Sequence, residues 1–161
     1  MSKTIIGVDP GVNGGMCMVT HGYPMEVFSF SGKTVDEVCA AMVAWTRAAK
    51  ERGAVSVYLE KVHSMPDNGH VQAFTFGKVY GGLLFGFKCM GLTVYHPTPQ
   101  LWMEAMECMT GGDKLVTLRK AKAMWPDFFV GKTKAWGLSI ADAMLIAEYG
   151  RRWEERTNGQ H

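Results

Sequence analysis

The chain has 161 residues, a length that one domain can use to bury a substantial core. Its 47% hydrophobic and 20% charged residues are those of an ordinary globular protein and exclude a disordered, collagenous or disulfide-stapled chain. A net charge of +2 does not announce nucleic acid by itself, and four scattered cysteines without a CxxC pair argue against structural zinc.

Residues 4–9, TIIGVD, read as a first strand that ends on an acid, Asp9, followed at once by a glycine-rich turn. Residues 15–20 and 25–30 read as two more strands, with His21, Gly22 and Pro24 turning between them, so an antiparallel meander is expected. Thr34 and Glu37 have the spacing of a capping box. Val38, Ala41, Met42, Trp45 and Ala49 continue it as a helix to Gly53. Residues 55–60 form a fourth strand ending on Glu60, and a polar loop follows. A glycine-studded helix spans about residues 71–90, LTVYHP is a fifth strand, and TPQLWMEAME and DKLVTLRKAKAMW are two further helices. SIADAMLIAEYGRRW gives the last helical pattern. Helices between strands three and four, and four and five, imply crossover connections in an α/β fold. The N-terminus lacks the pattern of a secretion signal. The longest apolar run, residues 79–87, is too short to span a bilayer. One domain over residues 1–161, in a reducing cytoplasm and away from membranes, is the expectation.

Functional groups of α/β sheets gather at the carboxyl ends of strands. Asp9 and Glu60 each end a strand, and if those strands are parallel neighbours the two carboxylates project side by side. Such a pair repels unless a cation joins it, and a hard divalent ion such as Mg²⁺ with oxygen ligands is the natural solution. Asp142 lies among alanines on or near the apolar face of the last helix. Each acid alone also has a plainer explanation. Asp9 can form a turn, Glu60 can cap a loop, and Asp142 can be a first-turn acid favoured by the helix dipole. Between residues 110 and 134, six basic residues against two acids leave a local charge of +4, the footprint of a phosphate backbone or simply a solvated helix face.

IIGVDPG, VYLEKV and IADAMLIAEYG, in this order and over residues 4–150, resemble three motifs of the RuvC-like Holliday junction resolvases of the ribonuclease H-like superfamily. HPTPQLWMEAM is similar to the bacteriophage branch. The resemblance implies a five-stranded mixed sheet, three antiparallel then parallel strands, flanked by helices. It also implies a homodimer that resolves four-way DNA junctions by paired nicking with Mg²⁺ or Mn²⁺, two ions per site. Its location would be the cytoplasm of a bacterial host. By the same resemblance, Asp9 bridges the ions, Glu60 and Asp142 hold one each, and Lys114 stabilises the transition state. Ser139 stands where the family carries a fourth ligand, one helical turn before Asp142. Lys61, His63, Lys114, Arg119, Lys120 and Lys122 would meet DNA, His63 at the place of a wedging aromatic. Lys78 and Lys88 could extend this surface. Gly77, Gly81, Gly82 and Gly86 would build the dimer interface or pack on their own sheet. Gly11, Gly14 and Gly15 would leave room for a phosphate backbone. His70 and His96 read as structural.

Two other readings stay open at this stage. One is a broader nuclease for flaps and forks. The other is a catalytically weak junction-binding module, which Ser139 favours and the three acids oppose. A sugar-kinase or actin type of phosphate-binding protein is disfavoured, because 161 residues leave no room for its second domain and second phosphate loop.

Overall fold

The protein, described over residues 3–62 and 69–158 in a computed structural model, folds around one mixed sheet. Strands β1 (Thr4–Asp9), β2 (Gly15–Thr20) and β3 (Tyr23–Ser29) form the meander. Helix α1 (Val35–Arg52) crosses to β4 (Val55–Leu59), and α2 (His70–Cys89) crosses to β5 (Thr93–Tyr95). Helices α3 (Pro99–Ala105), α4 (Leu115–Met124) and α5 (Lys134–Asn158) follow. The sheet order is β3-β2-β1-β4-β5, antiparallel across the first three strands and parallel from β1 to β4 to β5.

Alternation along the central strands divides the core in two. Ile6, Val8, Val57 and Leu59 face α1 and α2, while Ile5 and Tyr58 face α3, α4 and α5. The capping box at Thr34 forms as the spacing predicts: Glu37 donates its N–H to the Thr34 hydroxyl and accepts the Thr34 N–H at 2.8 Å. Strand β4 ends at Leu59, one residue before Glu60, β5 keeps only Thr93–Tyr95 of LTVYHP, and three larger differences from the sequence reading follow. Strand β3 starts at Tyr23 and carries Pro24, which an edge strand tolerates, and the ladder shifts register between Met18 and Val19. A 3-10 turn over Pro126–Phe129 buries Phe129 between α4 and α5. Helix α5 begins well before Ser139, with the Thr133 hydroxyl accepting the Trp136 N–H at 3.2 Å. Gly137, a poor helix former by propensity, packs against Leu118 there.

Helix α5 touches the sheet backbone to backbone. At Gly7 a Cβ would fall on the Ala147 nitrogen and the Ala143 carbonyl, and at Gly150 it would fall on the Tyr58 ring. The helix runs antiparallel to β1. Its Ser139 carbonyl lies 3.0 Å from a Cβ built on Gly15, and Glu154 meets Lys3 at 2.6 Å at the far end. Asp142 is therefore carried to the carboxyl end of β1.

Gly7→Ala is expected to lose about 3 kcal/mol, because the obstructing atoms are helix backbone that cannot rotate away. The melting temperature should drop by about 6–12 °C. A thermal or urea unfolding series measures this, and a wild-type curve for the variant would contradict the backbone contact.

Candidate active site

Asp9 ends β1, and its Oδ1 accepts the Gly11 N–H at 3.0 Å, so the residue closes a turn and presents a carboxyl together. The surrounding glycines make room for that carboxyl. A Cβ on Gly14 would lie 2.7 Å from Asp9 Cγ and 2.9 Å from its Oδ1, and one on Gly11 would lie 3.3 Å from Oδ1. A Cβ on Gly15 would lie 2.6 Å from the Phe28 carbonyl. The space expected to admit a phosphate at these three positions is thus filled from within the chain.

Glu60 follows β4 directly. Its N–H donates to the Val8 carbonyl at 3.0 Å, extending the parallel register by one residue and placing it beside Asp9. Like Tyr58 two residues before it, Glu60 faces the α5 side. Its Oε2 accepts the indole N–H of Trp102 at 2.7 Å, and Trp102, from α3, is fully buried.

Asp142 comes from the third turn of α5, where the helix starting at Lys134 leaves no first-turn dipole to explain it. Its Oδ1 is buried and has no hydrogen-bond partner among the described residues. Glu148, buried on the same helix, shows the contrast: it receives Arg151 Nε, Arg151 Nη2 and Arg152 Nε, each at 2.7 Å. Buried carboxylates are normally satisfied in this way. Beside Asp142 stands the Thr117 hydroxyl, whose single proton is directed to the Lys114 carbonyl at 3.2 Å.

The three acids feel one another. Burial, then the charge of Asp142, pushes Asp9 up to about 6, against the Gly11 N–H and Lys114. Burial, then Asp9, pushes Glu60 up to about 8, against the Trp102 N–H. Burial raises Asp142, against Thr117 and Lys114. Asp9 and, more weakly, Asp142 act on Glu60, and Asp142 acts on Asp9, so the three carboxyls lie within electrostatic reach of one another. Lys114, at the start of α4, is the basic side chain that opposes the rise at all three.

Three oxygen donors held short of positive charge, one with an orphaned oxygen, fit a hard divalent cation in donor type and charge. Among the described residues no three His, Cys, Asp or Glu side chains already close into a ligand cage.

The remaining expected positions divide. Lys61 is exposed next to Glu60, and its N–H is tied to the Pro97 carbonyl at 2.8 Å. Arg119 and Lys122 are exposed on α4 and Lys120 is half-buried there. Arg119 meets Asp113 at 3.2 Å and Lys120 meets Glu107 at 3.5 Å. Glu107 lies outside the residue 110–134 window, so the basic face is less positive than its segment alone indicates. Ser139 is buried and donates its hydroxyl proton to the Trp136 carbonyl at 2.7 Å, which commits that proton to its own helix. Lys78 lies on α2 with its ammonium 5.7 Å from the Phe74 ring centre, and Lys88 is in the last turn of the same helix. His70 opens α2, and His96 contacts the Tyr80 hydroxyl at 3.3 Å. His63 lies outside the described residues. Gly77, Gly81 and Gly82 face open space, whereas Gly86 packs on Met42 of α1 and is spent within the chain. Trp102 and Thr117 are the site residues the sequence reading missed. A buried indole needs an acceptor, and a tryptophan in the helix after β5 sits at the same pole as Asp9 and Glu60.

A carboxyl whose folded pKa is raised favours folding while protonated and loses that contribution as pH rises through the folded value. Without divalent ions, stability should therefore fall between about pH 4 and pH 8 as Asp9 and Glu60 ionise. Glu60→Gln should recover about 2 kcal/mol at pH 8, and Mn²⁺ should stabilise the wild type more at pH 8 than at pH 5. Thermal melts across pH, with EDTA or Mn²⁺, read this out, and a metal-free stability that climbs over the range would refute the assignment.

No protein-family model and no curated protein matches the chain by sequence. Its fold has solved counterparts. RuvC of Thermus thermophilus in complex with a Holliday junction substrate matches with a TM-score of 0.63 at 18% identity, over 96% of each chain. A Thermus thermophilus RuvC structure matches with a TM-score of 0.60 at 17% identity, again over 96% of each chain. The protein has the RuvC fold, a ribonuclease H-like five-stranded mixed sheet with helices on both faces.

Proposed function

We propose that the protein is a Mg²⁺- or Mn²⁺-dependent, structure-specific endodeoxyribonuclease that resolves four-way DNA junctions by paired nicking as a homodimer. The observation that carries this reading is the row Glu60, Asp9, Asp142 at the carboxyl end of the sheet, raised in pKa and short of cations, with Lys114 beside it. The likeness to a fold solved with a Holliday junction supports the choice of substrate.

Divalent ions bound there supply charge for the phosphate and acidify water, as in other two-metal phosphodiester hydrolases. Asp9, Glu60 and Asp142 would hold these ions, with Asp9 shared between them. The Gly11 N–H fixes one Asp9 oxygen and the Trp102 indole fixes one Glu60 oxygen, so both carboxyls meet the ions with little freedom left to lose. Lys114 offsets charge that develops on the phosphate. Lys61, Arg119, Lys120 and Lys122 offer positions for the DNA backbone, with His63 two residues after Lys61 in the sequence.

Dimerisation through α2 is supported by its outward face. Phe74 and Phe85 are 70% and 73% exposed, with Gly77, Gly81 and Gly82 open between them. A two-fold dimer would give paired active sites for two strands of like polarity. Among the described residues no helix is long and apolar enough to cross a membrane, and the proposed place of action is the cytoplasm where the DNA lies, that of a bacterial host if the chain is phage-encoded. A second reading, a weakly active junction-binding module, is favoured by Ser139, which brings no charge to the fourth ligand position. Flaps and forks remain within reach of the same chemistry.

Labelled four-way, three-way, flap and linear DNA, incubated in parallel with protein and Mg²⁺ or Mn²⁺, should show symmetrical nicks on the four-way substrate first. Asp9→Asn should lower cleavage at least about 1,000-fold with junction binding kept, and Lys114→Ala should lower turnover about 10–100-fold with little change in affinity. Tight binding without any cutting would favour the module, and normal cutting by Asp9→Asn would remove the metal assignment. Phe85→Glu should convert a sedimenting dimer to monomer, and a wild type that sediments as a monomer at micromolar concentration would exclude the paired arrangement.

A further inference from the structure

We propose that Trp102 is a positioning residue for metal binding: its indole N–H holds the Glu60 carboxylate in the orientation from which the other oxygen takes the divalent cation. The inference rests on the nuclease reading above and goes beyond it by assigning a residue outside the acids.

Four observations build it. The bond is short, Trp102 Nε1 donating to Glu60 Oε2 at 2.7 Å. Trp102 is the one hydrogen-bond partner of the Glu60 side chain among the described residues. The donor itself cannot move. Trp102 is fully buried in the core cluster with Met106, Cys108 and Met144. Its helix is also anchored to the strand it serves: the Lys61 N–H, one residue after Glu60, donates to the Pro97 carbonyl at 2.8 Å, and Thr98 caps α3 by accepting the Leu101 N–H at 3.3 Å. Glu60 and Trp102 are thus gripped at both ends of a closed loop of contacts.

The pairing is also chemically selective. An indole N–H is a donor only, and a backbone carbonyl would satisfy it in a purely structural role. Here it is spent on a carboxylate that faces Asp9. Engaging Oε2 leaves Oε1 as the free ligating oxygen, the geometry by which groups behind metal ligands orient them and hold them anionic, and loss of such partners weakens metal binding about 10–100-fold.

The test compares wild type, Trp102→Phe and a protein carrying β-(3-benzothienyl)alanine at position 102, which keeps the bicyclic shape and deletes the N–H. Mn²⁺ binding to DNA-free protein is titrated by electron paramagnetic resonance at one fixed pH, and junction cleavage is followed against Mn²⁺ concentration. The expected result is Mn²⁺ affinity at least about 10-fold weaker in the isostere, with cleavage recovered at higher Mn²⁺. A merely structural role would lower the active fraction and leave the Mn²⁺ midpoint in place. An isostere that binds Mn²⁺ within about twofold of a wild type that binds and cuts overturns this inference alone, even where Trp102→Phe fails to fold. A wild type that holds no Mn²⁺ overturns the nuclease reading and this inference together.

Discussion

The backbone contact between α5 and β1 is the constraint on which the rest of the structure depends. Gly7 has no side chain, so Ala143 and Ala147 come down onto the strand itself. Two residues further along β1, on the same face, stands Asp9, and one residue before Ala143 stands Asp142. Their nearness follows from how closely helix and strand approach at Gly7. A larger residue there would lift the helix and open the gap between the two carboxyls. The buried row of α5, nearly continuous from Ser139 to Gly150, holds the contact in place from the other side. Packing at one pole of the strand and chemistry at the other are one geometric fact.

The same helix displays two ways of burying a carboxylate. Glu148 is matched by Arg151 and Arg152, and Arg151 Nη1 also donates to Glu155 Oε1 at 2.6 Å, which completes a local network. Asp142, less than two turns earlier, keeps an oxygen without a partner. Leaving a buried acceptor unmade costs about 1–3 kcal/mol, more when it is charged. Asp9 and Glu60 add their mutual repulsion. A fold that satisfies Glu148 so fully and leaves its neighbour so bare concentrates unfavourable electrostatics at one pole, which is where local rules of stability yield to function.

Much of this was legible in the sequence because it is local or periodic. The capping box at Thr34, the strand ending on Asp9 and the crossover order needed only spacing and turn chemistry. That Asp9 and Glu60 sit side by side followed from strand order, and the register confirms it. What escaped depends on contacts between distant segments. The start of α5 was hidden by Gly137, whose poor propensity is overridden by Leu118 packing against it. Lys120 looked like part of a free basic face until Glu107, from a loop outside the segment, came within 3.5 Å. The turn glycines were read as room for a ligand, whereas they make room for the carboxyl of Asp9. Trp102 was invisible as a site residue because no spacing rule ties residue 102 to residue 60. The β4–β5 ladder and the Lys61 to Pro97 link bring them together.

The division of the core into two faces also bears on assembly. The acids, Trp102 and Lys114 belong to the face covered by α3, α4 and α5. The exposed apolar stripe of Phe74 and Phe85 belongs to α2, whose buried Val79, Leu83 and Phe87 pack on the opposite face. A partner bound through that stripe would therefore leave the acidic pole uncovered. Gly86 sharpens the point, since it turns inward to Met42 and fixes which side of α2 is used up by the chain itself. The side left over carries the exposed Phe74 and Phe85, with the Lys78 ammonium over the Phe74 ring. The sheet thus separates the surface that could join two copies from the one that would hold metal, and neither has to be given up for the other.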